Sequence, residues 1–310
     1  MTAVARDLPV FVGDFEPGSP EWHAARARGL GGSEIAAVLG LSPWESKFSL
    51  WHRKMGLASP VVETDEMYWG KLHEPTILAE WNRRHVDELH ARPAGTWTHY
   101  QHPWMVANPD GIVRRYVRPS VTQNDSLLEI KTARTADGWG EEGTEEIPIY
   151  YRTQCLWYLD VFGLDACHVA VLIGGSEYRE YRVEYNADEA TFMRDRARDF
   201  LDDIDTGKRP SIDEHDATYQ VIRELHPDID DVAVEVPDPM ATAYLDAIET
   251  HKAASAEKQR TTAILADHMG NARRAYWEGQ QIAMRVARGD SAPSVRHTPT
   301  KTIAQKVTAA

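Results

Sequence analysis

Between Trp97 and Thr132 apolar and polar residues alternate, whereas the segments on either side repeat their apolar residues every three or four positions. A period of two sends successive side chains to opposite faces of a strand, and a period of about 3.6 lines one face of a helix. The chain must therefore combine a sheet with helices that precede and follow it. Trp97–Tyr100, Met105–Ala107, Gly111–Tyr116 and Leu127–Thr132 read as strands of a meander, with Asn108-Pro109-Asp110-Gly111 as the turn between two of them. Ahead of them, Trp22–Arg28, Ser33–Leu39 and Phe48–Met55 read as helices, and Glu66–His85 as a fourth that Pro75 interrupts. Behind them come a helix over Pro148–Phe162 closed by Gly163, strands over Ala166–Ile173 and Tyr178–Tyr185 turned at Gly174-Gly175, and a helix over Asp188–Asp205 stopped by Gly207 and Pro210.

This order predicts an α/β (α+β) fold, a central mixed sheet flanked by helices, over residues 1–212. Residues 213–310 read as a C-terminal helical extension: helices over Met240–His251 and Ala256–Trp277, then a short strand-like piece and a polar tail. A chain of 310 residues, 42% hydrophobic, supports one sizeable core with such an appendage. No apolar run approaches the roughly 20 residues of a membrane span, and the N-terminus lacks the order of a signal peptide, so a soluble, cytoplasmic protein is expected. Cys155 and Cys167 are too few for a disulfide framework or a four-thiolate metal site. The net charge of −14 excludes a surface coated with phosphate-binding cations. Charge is nevertheless uneven, since residues 252–310 hold ten Lys/Arg against four Asp/Glu. That basic stretch fits a guide for duplex DNA and equally a solvated helical face.

The chemistry concentrates in Leu127-Leu128-Glu129-Ile130-Lys131-Thr132. On a strand, Glu129 and Lys131 share a face roughly 6–7 Å apart, while Leu128 and Ile130 face the other way. Asp110 sits at a tight turn opening the preceding strand, so Asp110 and Glu129 are placed to share one divalent ion. Two carboxylates suit Mg²⁺, which keeps several waters, and Lys131 would then orient an attacking water or stabilise developing charge. Glu74 lies four residues after Gly70 on one helix face, as a further metal ligand or a solvated carboxylate. Gln154 and Tyr158 also share a helix face. Arg26 and the Gly31-Gly32-Ser33 turn offer an anion site at a helix start, and Ser33 equally fits a plain N-cap.

Taken in order, these motifs resemble the YqaJ-like viral recombinase family, relatives of phage lambda exonuclease within the PD-(D/E)XK nuclease superfamily. The resemblance runs from about Trp22 to Gly175. It rests on Trp22-His23 with Arg26, Gly31-Gly32-Ser33 through Pro43, Gly70-x-x-x-Glu74-Pro75, Pro109-Asp110-Gly111, Leu128-Glu129-Ile130-Lys131-Thr132 and Gln154-x-x-x-Tyr158. It implies a restriction-endonuclease-like core and Mg²⁺-dependent 5′-to-3′ degradation of double-stranded DNA from its ends, with Mn²⁺ as the substitute metal. It further implies metal ligation by Asp110 and Glu129 with support from Glu74, catalysis assisted by Lys131 and Gln154, and capture of a 5′-phosphate by Arg26 and Ser33, with Tyr158 beside them. A single-strand annealing protein as partner and a homo-trimer are implied in the same way. The sequence departs from the pattern in the lengthened hairpin around Arg114 to Asp125 and in everything after about residue 213. An endonuclease or resolvase on the same fold, or a catalytically inactive DNA-binding or assembly protein, are the alternatives.

Overall fold

The computed structural model describes residues 8–298 apart from 17, 28, 119, 120 and 290, with backbone alone for 116–118 and 121–124. It divides into two compact units between Ile229 and Asp230. In chain order the first unit begins with β1 (Val10–Gly13), α1 (Pro20–Ala27), β2 (Leu30–Gly31), α2 (Gly32–Val38), α3 (Lys47–Lys54) and α4 (Asp65–Arg84). Next come β3 (Leu89–Arg92), β4 (Thr96–Thr98), β5 (Met105–Ala107), β6 (Gly111–Arg118) and β7 (Val121–Ala133). It ends with α5 (Ile149–Phe162), β8 (Ala166–Ile173), β9 (Glu177–Glu184), α6 (Ala187–Asp205) and α7 (Asp216–Leu225).

The four strands expected to form one meander belong to two sheets. β4 and β5 join β1 and β2 in the order β1-β4-β5-β2, while β6 and β7 lie in a larger sheet of order β3-β6-β7-β8-β9. The chain changes sheets at Asn108-Pro109-Asp110, where Pro109 has no N–H to continue a ladder. In the larger sheet β7 and β8 run parallel, with α5 as their crossover, and the other pairs are antiparallel. The sheet is therefore mixed, as expected.

Alternation on β7 splits the core in two. Leu127 packs with α2, α3, α5 and α6 in the larger cluster, while Leu128 and Ile130 meet Ile77 and Trp81 of α4 on the opposite face. α4 runs unbroken through Pro75. The flanking residues Thr76 and Lys71 are exposed, so water can serve the carbonyl that Pro75 leaves unpaired, and Ile77 and Trp81 pin the following turns. α5 closes on Gly163 in the left-handed region (φ 64°), as its sequence required. α7 docks on α3 through a Ser46–Thr218 hydroxyl contact of 2.6 Å, which carries the first unit beyond the expected boundary at residue 212.

Behind α4, His168 of β8 lies edge-on to Trp81 at 5.5 Å, and its Nε2 is buried with no hydrogen-bond partner among the described residues. Burial, then the nearby Arg182 and His85, push its imidazole down to about 4. The unfolded chain takes up this proton at about 6.5, so the group supports the fold above that pH and its support is lost as pH falls toward 4. Urea unfolding across this window is expected to lose stability on the order of 2 kcal/mol through this group. His168→Gln should flatten that loss; an unchanged acid limb would remove the assignment.

The second unit contains α8 (Asp238–Met269), followed by β10 (Arg274–Trp277), β11 (Gln280–Val286) and β12 (Ser294–His297), an antiparallel sheet of order β10-β11-β12. This corrects the two helices expected over Met240–His251 and Ala256–Trp277. Lys252 to Ala256 continue one helix rather than a turn, and Gly270 ends it before Tyr276 and Trp277 enter a strand. Glu278-Gly279, both at positive φ, then make the β10–β11 turn. The polar tail beyond residue 298 lies outside the described residues.

Candidate active site

Asp110, Glu129 and Lys131 meet because of local register. Gly111 pairs with Leu128, which sets Asp110 beside the next turn of β7, and its Oδ2 accepts the Ile130 N–H at 2.6 Å. Glu129 is 1% exposed and points to the α5 side, where its Oε1 accepts from Lys131 Nζ at 2.5 Å and Gln154 Nε2 at 2.7 Å. Its Oε2 is buried and has no partner among the described residues. Gln154 also donates to the Tyr158 hydroxyl at 3.0 Å. Lys131 Nζ stands 4.9 Å from the Tyr151 ring centre. Tyr151, Gln154 and Tyr158 fall at i, i+3 and i+7 of α5, one helix face. Tyr151 was legible from that spacing yet absent from the residues singled out above.

Burial and then the charge of Asp110 push the Glu129 carboxyl up to about 8, against the pull of Lys131. Burial also raises Asp110, although Lys131 and the Ile130 amide oppose it. Glu74, half-buried on α4, is pushed up to about 7 by burial and by Asp110. Burial works against the Lys131 ammonium, but Glu129 and Asp110 outweigh it and hold it charged. Acids crowded in this way gain from a cation, and Glu129 Oε2 has lone pairs free to meet one. The all-oxygen donor set is the kind Mg²⁺ takes. Among the described residues no three His, Cys, Asp or Glu side chains converge to hold a metal. Glu74 is coupled to the pair electrostatically, through Asp110. Asp110 and Glu129 would hold the ion, with water completing its shell.

Arg26 and Ser33 also come together, with Arg26 Nη2 donating to Ser33 Oγ at 2.8 Å and the guanidinium 4.4 Å from the Trp22 ring centre. The N-cap of α2 is Gly31 rather than Ser33. The Gly31 N–H donates to Glu34 Oε2 at 2.7 Å, so that amide is spoken for and the exposed Ser33 hydroxyl is left to Arg26. Burial pushes the Glu34 carboxyl up, but Lys54 at 2.9 Å and then Arg26 overcome it and hold the carboxyl below its ordinary range. Glu34 three residues after Gly31 is capping-box spacing, the signal by which its role could have been read. Lys54 carries no such signal. Gly32 joins this corner to the carboxylates: a Cβ there would stand 2.4 Å from Tyr158 Cε1, so the glycine lets α2 rest directly on the tyrosine that Gln154 holds.

The fold and the site together define a mixed α/β domain with a buried carboxylate–lysine cluster at one end of its central sheet. Residues 21–165 match the YqaJ-like viral recombinase domain. It is 30% identical over 212 residues to the uncharacterized protein YqaJ of Bacillus subtilis (strain 168), covering 66% of this chain and 63% of that relative. The fold is similar to the crystal structure of an alkaline exonuclease, LHK-Exo, from Laribacter hongkongensis, with 16% identity, TM-score 0.48 and coverage of 67% of this chain and 99% of that one. It is also similar to a phage related exonuclease from Haemophilus somnus 129PT, with 7% identity, TM-score 0.42 and coverage of 57% and 94%.

Proposed function

We propose that this protein is a metal-dependent deoxyribonuclease that degrades double-stranded DNA from its ends, 5′ to 3′, in phage-type recombination. The observation that carries the reading is Glu129: an acid 1% exposed, shared by Lys131 and Gln154, next to Asp110, with one buried oxygen that has no partner among the described residues. Asp110 and Glu129 would hold Mg²⁺, or Mn²⁺ in its place. When bound, that ion polarises the scissile phosphate and lowers the pKa of water. Lys131, kept charged by the two acids, stands beside the reacting phosphate and orients the incoming water. Gln154 fixes the orientation of Glu129 by donating to Oε1, and its bond to Tyr158 fixes Gln154 in turn. Glu74, raised to about 7, sits where it can exchange a proton near neutral pH. Arg26 and Ser33 present donors to the 5′-phosphate of a DNA end. A 3′ single strand would be left for an annealing partner, with a homo-trimer as the working assembly.

Digestion of linear 5′-phosphorylated, linear 5′-hydroxyl and covalently closed circular duplex DNA, with Mg²⁺ or EDTA, tests this reading. The expected result is consumption of linear DNA alone, fastest with the 5′-phosphate, and none in EDTA. Cutting of closed circles would make the enzyme an endonuclease, and no cutting under any condition would leave a DNA-binding role.

A further inference from the structure

Trp44 is 63% exposed, yet its loop is firmly held. Ser42 Oγ accepts the Trp44 N–H at 3.2 Å and the Glu45 N–H at 3.1 Å, and His215 Nε2 lies 3.1 Å from the Ser42 carbonyl oxygen. Glu45 is ion-paired to Arg53, and Ser46 caps α3. A single exposed apolar residue is ordinary on a protein surface. This one differs in what it leans on. Its ring meets Tyr150 edge-on at 4.7 Å and Tyr151 at 6.0 Å, and Tyr151 is the ring that carries Lys131 Nζ at 4.9 Å. A chain of edge-on and tilted aromatic contacts therefore runs from solvent to the lysine of the candidate active site, and its outermost member presents open indole on a fixed loop.

We propose that Trp44 is a stacking platform for an unpaired base of the DNA strand whose phosphate lies at Glu129 and Lys131. The proposal rests on the nuclease reading above and adds a base-binding subsite to it. A nucleotide with its phosphate at the carboxylate–lysine cluster must put its base somewhere outside that polar, buried corner. A flat indole two aromatic contacts away accepts any of the four bases, because every base has a π-face. Sequence-tolerant stacking is what progressive degradation requires, whereas hydrogen-bond readout would stall at unfavoured bases.

The test uses the full-length protein and a 5′-phosphorylated duplex carrying 2-aminopurine at its terminal positions. Binding and quenching are read in EDTA, and KM and kcat in Mg²⁺, for wild type, Trp44→Ala and Trp44→Phe, with thermal melts of each. Trp44→Ala is expected to lose the quenching and to raise Kd and KM by roughly 5- to 150-fold, the about 1–3 kcal/mol of one base–aromatic stack. Trp44→Phe should retain most of both, and kcat should move less than KM. Cleavage and quenching by Trp44→Ala at wild-type levels would overturn the platform alone. So would a Trp44→Phe protein as impaired as Trp44→Ala with the same lowered melting temperature. A wild-type protein that neither binds nor cuts DNA would overturn the nuclease reading and the platform with it.

Discussion

Lys131→Ala is expected to slow cleavage of linear duplex DNA by a factor on the order of 10²–10³, the cost of removing one preorganised electrostatic stabiliser, while binding of DNA and metal persists. The expectation follows from where the ammonium sits. It lies 2.5 Å from Glu129 Oε1 and faces the ring of Tyr151, so it is held in place before any substrate arrives. Removing a cation from between two carboxylates does not weaken their hold on a divalent ion, because the cation competed with that ion for the same oxygens. The separation of catalysis from binding is thus the diagnostic result. Breaking one partner of a buried pair also costs stability, about 3–5 kcal/mol in general. Here Gln154 stays on Glu129 and the carboxyl, at about 8, is already inclined to take up a proton, which softens the loss. Lys131→Met fills the same volume without the charge and serves as the matched control. Single-turnover cleavage with binding measured in Ca²⁺ checks both halves. A Lys131→Ala protein that cuts at the wild-type rate, or one that no longer binds DNA though folded, would refute the role.

The cluster could be read from sequence because its logic is local. Glu129 and Lys131 sit two apart on a strand whose apolar partners Leu128 and Ile130 announce the opposite face, and the structure places all four accordingly. Gln154 and Tyr158 were legible for the same reason, since helical spacing fixed their shared face. β8 spans the residues that its unbroken apolar run indicated, because a strand buried on both faces needs no alternation. What could not be read depends on distant partners. β2 is two residues long and exists through pairing with β5. The β1, β3 and α7 segments carry weak patterns of their own and are defined by contacts with β4, β6 and α3. The split of the apparent meander between two sheets is a tertiary choice that period two does not encode. Trp44 against Tyr150 and Tyr151, and Lys54 against Glu34, join loops and helices far apart in the chain, so no spacing rule brings them together.

Arg26→Ala is expected to erase the preference for 5′-phosphorylated over 5′-hydroxyl ends, lowering cleavage of the phosphorylated substrate by a factor on the order of 10² and leaving the hydroxyl substrate nearly unchanged. The guanidinium is braced on both sides, by the Trp22 ring at 4.4 Å and by Ser33 Oγ at 2.8 Å, which leaves its remaining N–H groups fixed in direction. A terminal phosphate presents three acceptor oxygens, and a planar fork of donors matches them better than a point charge does. Arg26→Lys should therefore recover little of the preference, although it keeps the charge. The competing explanation for a loss would be collapse of the α2 start, since Arg26 also steadies the half-buried Glu34 carboxyl. Lys54 remains within 2.9 Å of that carboxyl and the Gly31 amide still donates to it, so the corner retains its main supports. Ser33→Ala removes one donor from the same group without touching Glu34 and should produce a smaller shift in the same direction. Rates on the two substrates, each measured for the three variants, separate these explanations. A wild-type protein indifferent to the terminal phosphate would remove the assignment of Arg26 and Ser33, whereas equal slowing on both substrates would point to a damaged fold.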